Sequence, residues 1–452
     1  MLSVNSMKRK FGLNILYLLL FAFVQFPLRL KGYNIVTYFF VYFIPLVCLI
    51  IHIGWSYNFF SRIRKTYVKM SVVLFIILFI VSILWPILSG TFEFTFVTEY
   101  WRRFFLLLLK NIFLLYVYEC FVAKKQSNIE DYIQYYLFSL ILYIGFTILT
   151  LLFGNLKVFL VNHLYLTEGE SVIVWYPEYA TRFGWAGFSG FDMTMHCTFG
   201  VILCCIWIVG KNSLFLQTRY MLLGIILLGG NMLYGRTGLV VSIFCLVVTV
   251  LRVFLKGQLR FVARIMFISV AVFFCLLTIK DLVSSIDRWY DWAFSAFTNL
   301  FTKGKFIDNT GSLITLFSEM YWIPDLETLL IGDAVYSVNG SYYMGTDSGI
   351  MRLILFYGII YYFIGLIATV GILNSFFEKL YLFGVIKRQD KLYLCLMVIM
   401  AILLFEVKGE SYYKFVVMIL PLTLIHKDIR SRKKQFQFCL NSPVSTSEER
   451  KK

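Results

Sequence analysis

The chain is poor in charge. Of its 452 residues only 15% are Asp, Glu, Lys or Arg, while 60% are hydrophobic and the mean hydropathy is +0.78. A soluble domain carries about 25% charged residues, so a water-soluble enzyme, a nucleic-acid binder and a disordered chain are excluded. Histidine is scarce, at four residues. None of the nine cysteines falls in an expected outward loop and no pair has zinc-ligand spacing, which leaves neither a disulfide framework nor a zinc site. No P-loop, dinucleotide-binding glycine fingerprint, His-Glu-x-x-His or serine nucleophile elbow occurs. ATP-driven and metalloprotease chemistry therefore has little sequence support.

Long apolar runs are abundant. A helix rising 1.5 Å per residue needs about 20 mostly apolar residues to cross hydrocarbon. About twelve runs qualify, at 11–28, 33–53, 70–89, 104–122, 135–153, 191–210, 219–234, 237–255, 264–279, 348–373, 391–407 and 412–426. The first follows a basic N-terminus and continues without a small-residue cleavage pattern, so it reads as a span and not as a leader. With the N-terminus inside, the cytoplasmic segments hold 27 of the 42 Lys and Arg residues, as the positive-inside rule requires. The expectation is an all-α polytopic membrane protein of about twelve transmembrane helices with both termini cytoplasmic. Residues 1–426 form one multi-span domain. Residues 427–452 read as a basic, disordered cytoplasmic tail that anchors to anionic lipid.

Two outward loops, about 154–190 and 280–347, exceed what a connection needs. The second holds nine of the 25 acids, interleaved with aromatics that include Trp289, Trp322, Tyr336, Tyr342 and Tyr343. Rings cover sugar C–H faces while carboxylates accept hydroxyl hydrogen bonds, so this composition suits a saccharide. An interfacial aromatic belt has the same composition.

Candidate functional residues sit at loop ends. Arg182 heads Arg182-Phe183-Gly184-Trp185-Ala186-Gly187-Phe188-Ser189-Gly190, where small residues permit a tight fold and a guanidinium stands ready for an anionic head group. A re-entry turn with an interfacial arginine fits that stretch equally. Arg236, in Gly235-Arg236-Thr237-Gly238 between two spans, is placed to grip a diphosphate bidentately or to snorkel. Arg352 lies in the tenth span, and intramembrane ionisable groups are functional candidates by default. Asp347, five residues earlier, need not pair with it on an ideal helix. Glu406, Lys408, Glu410 and Lys414 suggest a local ion-pair network, and Lys110 reads as snorkelling or paired. His163, in the first loop, reads as a general base or as a solvated loop histidine.

Together these residues resemble the bacterial O-antigen and capsular polysaccharide polymerases of the Wzy type, relatives of the O-antigen ligases. The resemblance covers the overall plan and three local patterns: the Arg182–Gly190 stretch, Gly235-Arg236-Thr237-Gly238, and Gly345-Thr346-Asp347-Ser348-Gly349 followed by Tyr357-Gly358. It departs from the family in lacking the spacing of Arg, ten residues, then Gly after both Arg182 and Arg288. The second loop has no histidine, which favours polymerase over ligase. The resemblance implies a metal-independent and cofactor-free glycosyl transfer at the outer face of the bacterial cytoplasmic membrane. Undecaprenyl-diphosphate-linked oligosaccharides would be substrates, with a chain-length regulator and a flippase as partners and no nucleic acid. It assigns the catalytic roles to Arg236 and Arg182 on the departing diphosphate and to Asp347 as base, with Glu178 and His163 behind it. Substrate binding falls to Arg352, Glu178, His163, Arg288, Tyr342 and Tyr343. This assignment requires the arginines to meet around one hollow. A lipid-linked oligosaccharide flippase and an O-antigen ligase are the rival readings, and short outward loops would have favoured the flippase.

Overall fold

A computed structural model describes residues 2–64, 68–123, 128–176, 179–268 and 318–425. Glu178, Arg288, most of the second loop, the end of the ninth expected span and the C-terminal tail lie outside the described residues. The fold is all-α. Among the described residues seven helices are long and apolar enough to cross a membrane: Val68–Leu88, Phe96–Val122, Ile129–Leu152, Phe191–Gly210, Leu214–Tyr234, Arg236–Leu255 and Ile359–Leu382. This is the build of a multi-pass membrane protein. Many large apolar side chains on these helices stay exposed, for example Ile76, Ile80, Leu84, Val247 and Leu251, as expected where lipid is the solvent.

Phe191–Gly210 is the central helix, with 94% of its apolar window buried. It packs against Leu214–Tyr234, Arg236–Leu255 and Ile129–Leu152. Small residues set how closely these helices approach. A Cβ on Gly200 would stand 2.8 Å from Leu227 Cδ1, and one on Gly230 2.5 Å from Ile144 Cδ1. Asn231 donates to Thr198 Oγ1 at 3.0 Å and to Ser242 Oγ at 2.7 Å, tying three spans together through polar groups that lipid cannot satisfy.

Two expected spans are not single straight helices. The 33–53 run bends by 91° where Ile35–Ile51 meets Ile53–Ile63. The 348–373 run breaks at Gly358, between Gly349–Tyr357 and Ile359–Leu382. Gly358 has φ +82°, and a Cβ there would lie 2.1 Å from the Leu330 carbonyl oxygen. Only glycine fits that conformation against that backbone. Near the short break between the seventh and eighth spans, Leu214–Tyr234 ends and Arg236–Leu255 begins at once, joined by Gly235 alone.

The two ends of the bundle differ. One end carries two β-hairpins. In the first, Phe183 pairs with Phe188 and Gly184 with Gly187. In the second, Ser337 pairs with Tyr342 and Val338 with Ser341 around Asn339-Gly340, whose φ values of 53° and 78° suit the primed turn that tight hairpins favour. At the opposite end basic residues meet carboxylates: Arg252 and Lys256 share Asp390, Lys211 pairs with Glu130, Arg62 with Glu119 and Lys391 with Glu378.

Candidate functional site at the hairpin end

Arg182 closes a short 3-10 turn, Ala180–Arg182, and leads directly into the first hairpin. That hairpin is riveted to three helices. Thr150 Oγ1 donates to the Phe183 carbonyl at 3.0 Å, Trp185 Nε1 to the Phe26 carbonyl at 2.7 Å and Thr181 Oγ1 to the Leu233 carbonyl at 2.7 Å. Each such bond contributes about 0.5–1.5 kcal/mol net. Gly184 lies so close to the Ile129–Leu152 helix that a Cβ would stand 2.8 Å from the Tyr143 ring. The expected tight fold of this stretch is therefore a rigid platform that fixes its arginine.

Arg236 begins its helix on the other side of the same platform. Gly235 and Gly238 let this helix start press on Thr194, with Cβ positions only 2.8 Å from Thr194 Oγ1 and 2.2 Å from its Cγ2. Arg182 and Arg236 share Tyr179 as an electrostatic neighbour, and the Arg182 guanidinium lies 4.8 Å from that ring's centroid. Both arginines are half-buried. Burial holds Arg182 below the ordinary guanidinium range; Tyr179 opposes the shift and the charge of Arg236 adds to it. Two cations thus act on each other in a partly dry place, an arrangement that favours a polyanion.

The expected meeting of all three arginines around one hollow is not found among the described residues, and Arg352 is the correction. It does not join the pair but sits in its own cage, 7% exposed, with Nη1 3.3 Å from Glu410 Oε1. Its guanidinium carbon is 4.2 Å from the Tyr336 ring centroid and 3.6 Å from that of Tyr342. Tyr336 donates to Glu410 at 2.6 Å, and burial followed by the Glu410 charge pushes its hydroxyl pKa up. Arg352 Nε and Nη2 are buried without a hydrogen-bond partner. Neither of the two best-formed cavities among the described residues is lined by Arg182, Arg236 or Arg352; the larger, about 120 Å³, is an apolar cleft beside Phe75, Trp101 and Phe104.

The Asp347-Ser348-Gly349 pattern has a structural explanation. Ser348 caps the Gly349–Tyr357 helix by accepting from the Met351 N–H at 3.4 Å, and its hydroxyl donates to Tyr321 at 2.7 Å. A Cβ on Gly349 would stand 2.6 Å from Glu406 Oε2 and from the Gly409 backbone, so glycine admits the 406–410 turn. Asp347 faces Lys408 at 3.5 Å, and its Oδ1 has no partner. The network expected within Glu406, Lys408, Glu410 and Lys414 is instead dispersed. Lys408 takes Asp347, Glu410 takes Arg352, Lys414 takes Asp192, and Glu406 accepts from the Ser411 hydroxyl at 2.8 Å and the Tyr412 N–H at 2.6 Å.

The remaining candidates divide. Tyr342 stacks on Arg352, while Tyr343 turns to Asp333, and burial with that carboxylate raises its hydroxyl pKa. His163 is exposed at the end of the Gly154–His163 helix, its Nδ1 2.7 Å from the Phe159 carbonyl and its ring stacked on Phe159. That is a local helix-end role. Lys110 does not snorkel: it is 4% exposed, with Nζ 5.2 Å from the Tyr42 ring centroid, and Asp192 is the acid that acts on it. Sequence reading missed Tyr179 and Asp192. The signal for Asp192 was an acid in the first turn of an otherwise apolar span.

A physical bridge joins the arginine pair to the Arg352 cage. A Cβ on Gly190 would be 3.8 Å from Arg182 Nη1, and one on Gly409, next to Glu410, would be 3.0 Å from the Phe191 ring. No protein-family model, curated protein or solved structure matches this chain.

Proposed function

We propose that the chain is a membrane glycosyltransferase of the polysaccharide-polymerase type, acting on undecaprenyl-diphosphate-linked repeat units at the outer face of the bacterial cytoplasmic membrane. The reading takes the hairpin end as extracytoplasmic, with about twelve spans and both termini inside, on the strength of the Lys and Arg distribution. The observation that carries it is Arg182 at the foot of the braced hairpin, 4.8 Å from the Tyr179 ring centroid, with the charge of Arg236 from the start of the Arg236–Leu255 helix acting on it.

In the proposed reaction the acceptor hydroxyl oxygen attacks the anomeric carbon of the growing chain. The bond from that carbon to the diphosphate oxygen breaks, and the electron pair leaves with the polyprenyl diphosphate. Arg182 and Arg236 neutralise that charge; preorganised cations in a dry site do this strongly. The unpartnered Oδ1 of Asp347 takes the hydroxyl proton. Tyr342, exposed and backed by Arg352, supplies a face for the saccharide. The donor is already activated, so the reaction calls for no cofactor.

The test is Arg236→Ala in the native host, with membrane abundance of the protein measured alongside lipid-linked glycans. The expected result is normal abundance, no polymer and single repeat units on the outer leaflet. Full-length polymer would remove Arg236 from the mechanism. On deletion of the chain, units trapped inside would mean a flippase, and polymer lacking its final acceptor a ligase.

A further inference from the structure

The Ile53–Arg64 helix takes no part in the proposed transfer. It follows the Ile35–Ile51 helix, which runs from the hairpin end, where Leu30 bridges Leu164, to the end where Arg62 meets Glu119. The chain then turns by 91° at His52, so the next helix lies across that end of the bundle. Its 12 residues make it about 18 Å long, and crossing hydrocarbon takes about 20 residues.

Three surroundings divide its circumference. At about 100° per residue, Phe60, Ile53 and Tyr57 fall within about 60° of one another. They are 55%, 71% and 66% exposed. The neighbouring sector holds Gly54 and Asn58, which are also exposed. The remaining sector is docked on the bundle. Phe59 is buried there, and Trp55 Nε1 donates to Glu119 Oε2 at 3.0 Å. Arg62 donates to both Glu119 oxygens, at 2.9 and 3.0 Å, and to the Leu424 carbonyl at 2.7 Å.

A helix inside hydrocarbon would show no exposed polar sector, and one in water would not line up three large exposed apolar side chains. One apolar, one polar and one docked sector fit a helix with hydrocarbon, water and protein on its three sides. That place is the edge of the bilayer beside the bundle. The sequence continues as Arg64-Lys65, and Lys69 is exposed at the start of Val68–Leu88. Cations at this end suit the anionic head groups of such a surface.

We infer that Ile53, Tyr57 and Phe60 form a docking face for the lipid leaflet at the end opposite the hairpins, inserted where head groups give way to acyl chains. The inference is independent of the transferase reading. The experiment places a spin label, on p-acetylphenylalanine, at position 53, 57, 58 or 60 of the full chain in vesicles of phosphatidylethanolamine and phosphatidylglycerol. Accessibility to oxygen and to a nickel chelate then reports depth, and a thermal midpoint equal to wild type shows that each labelled chain is folded. Labels at 53, 57 and 60 are expected to be oxygen-accessible at one common depth, about 5–10 Å below the head groups, and the label at 58 to be open to nickel. Depths at 53 and 60 differing by about 10 Å, as seven residues along a spanning helix would give, would overturn the inference. So would nickel access at all four positions. Exclusion of both reagents from 53, 57 and 60, relieved by dilution in lipid, would assign the face to a second copy of the chain and overturn it as well.

Discussion

Gly235→Ala isolates the placement of Arg236 from its charge. Gly235 has φ 178°, extended backbone that alanine adopts freely, so the substitution introduces no backbone strain. The three atoms nearest the added Cβ all belong to Thr194: Oγ1 at 2.8 Å, Cγ2 at 3.6 Å and Cβ at 3.7 Å. The last two are ordinary contacts, and the first is a clash. Thr194 is β-branched in a helix and bonds the Gly190 carbonyl at 3.2 Å, so its rotation is restricted. The chain must move at the residue beside Arg236. Overpacking of this kind costs about 1–3 kcal/mol, and misplacing a charged group by about 1 Å costs about 10²-fold in rate. Polymer production should therefore fall about 10²-fold, with a lowered thermal midpoint in detergent. Thr194→Ala removes the clashing oxygen, so the Gly235→Ala/Thr194→Ala double variant should recover most of the activity and stability. Wild-type activity in the single variant, or no recovery in the double, would refute the reasoning, because Thr194 is the contact that carries it.

Three further substitutions test the frame around the site. Glu410→Ala leaves the Arg352 guanidinium buried without its carboxylate, and breaking a buried pair in this way costs about 3–5 kcal/mol. The thermal midpoint of the purified protein should drop steeply, and Glu410→Leu with Arg352→Leu should restore most of it. Gly358→Ala sets a Cβ 2.1 Å from a backbone oxygen at φ +82°, so no folded protein should reach the membrane. Gly229→Ala, with nothing within 4 Å of its Cβ position, should leave the midpoint unchanged or raise it, since Gly costs a helix about 0.5–1 kcal/mol relative to Ala.

Where apolar length alone decides, sequence and structure agree. Helices Val68–Leu88, Phe191–Gly210 and Arg236–Leu255 fall within a few residues of the expected runs. The failures have a common cause. The breaks at His52 and Gly358 occur inside apolar stretches, where hydropathy is blind to backbone conformation; Gly358 is shaped by Leu330, 28 positions away. The site shows the same division. The small residues after Arg182 signalled a tight fold, and the hairpin there is one; the close seat of Gly235 and Gly238 on Thr194 depends on the neighbouring helix and is not legible in the local pattern. That Arg352 faces Glu410 and not the arginine pair depends on how the Tyr412–Leu424 helix packs, which local pattern does not encode.

Carboxylate partners account, among the described residues, for many cations that burial alone would mark as functional. Among the described residues at the end opposite the hairpins, five basic side chains meet four carboxylates: Asp390 serves Arg252 and Lys256, while Lys211, Arg62 and Lys391 each have their own. Those charges are neutralised within the fold and contribute shape. At the hairpin end, Arg352, Lys408 and Lys414 are likewise matched to Glu410, Asp347 and Asp192. Lys110 is covered as well, with Tyr42 beneath its amine and the Asp192 carboxylate acting on it from the Phe191–Gly210 helix. Burying an ammonium in a membrane is costly, so Lys110→Met should hold or raise the thermal midpoint of the purified protein. A steep fall would show that Lys110 holds the Asp192 end of the central helix in place, and its burial alone would then mark structure and not function.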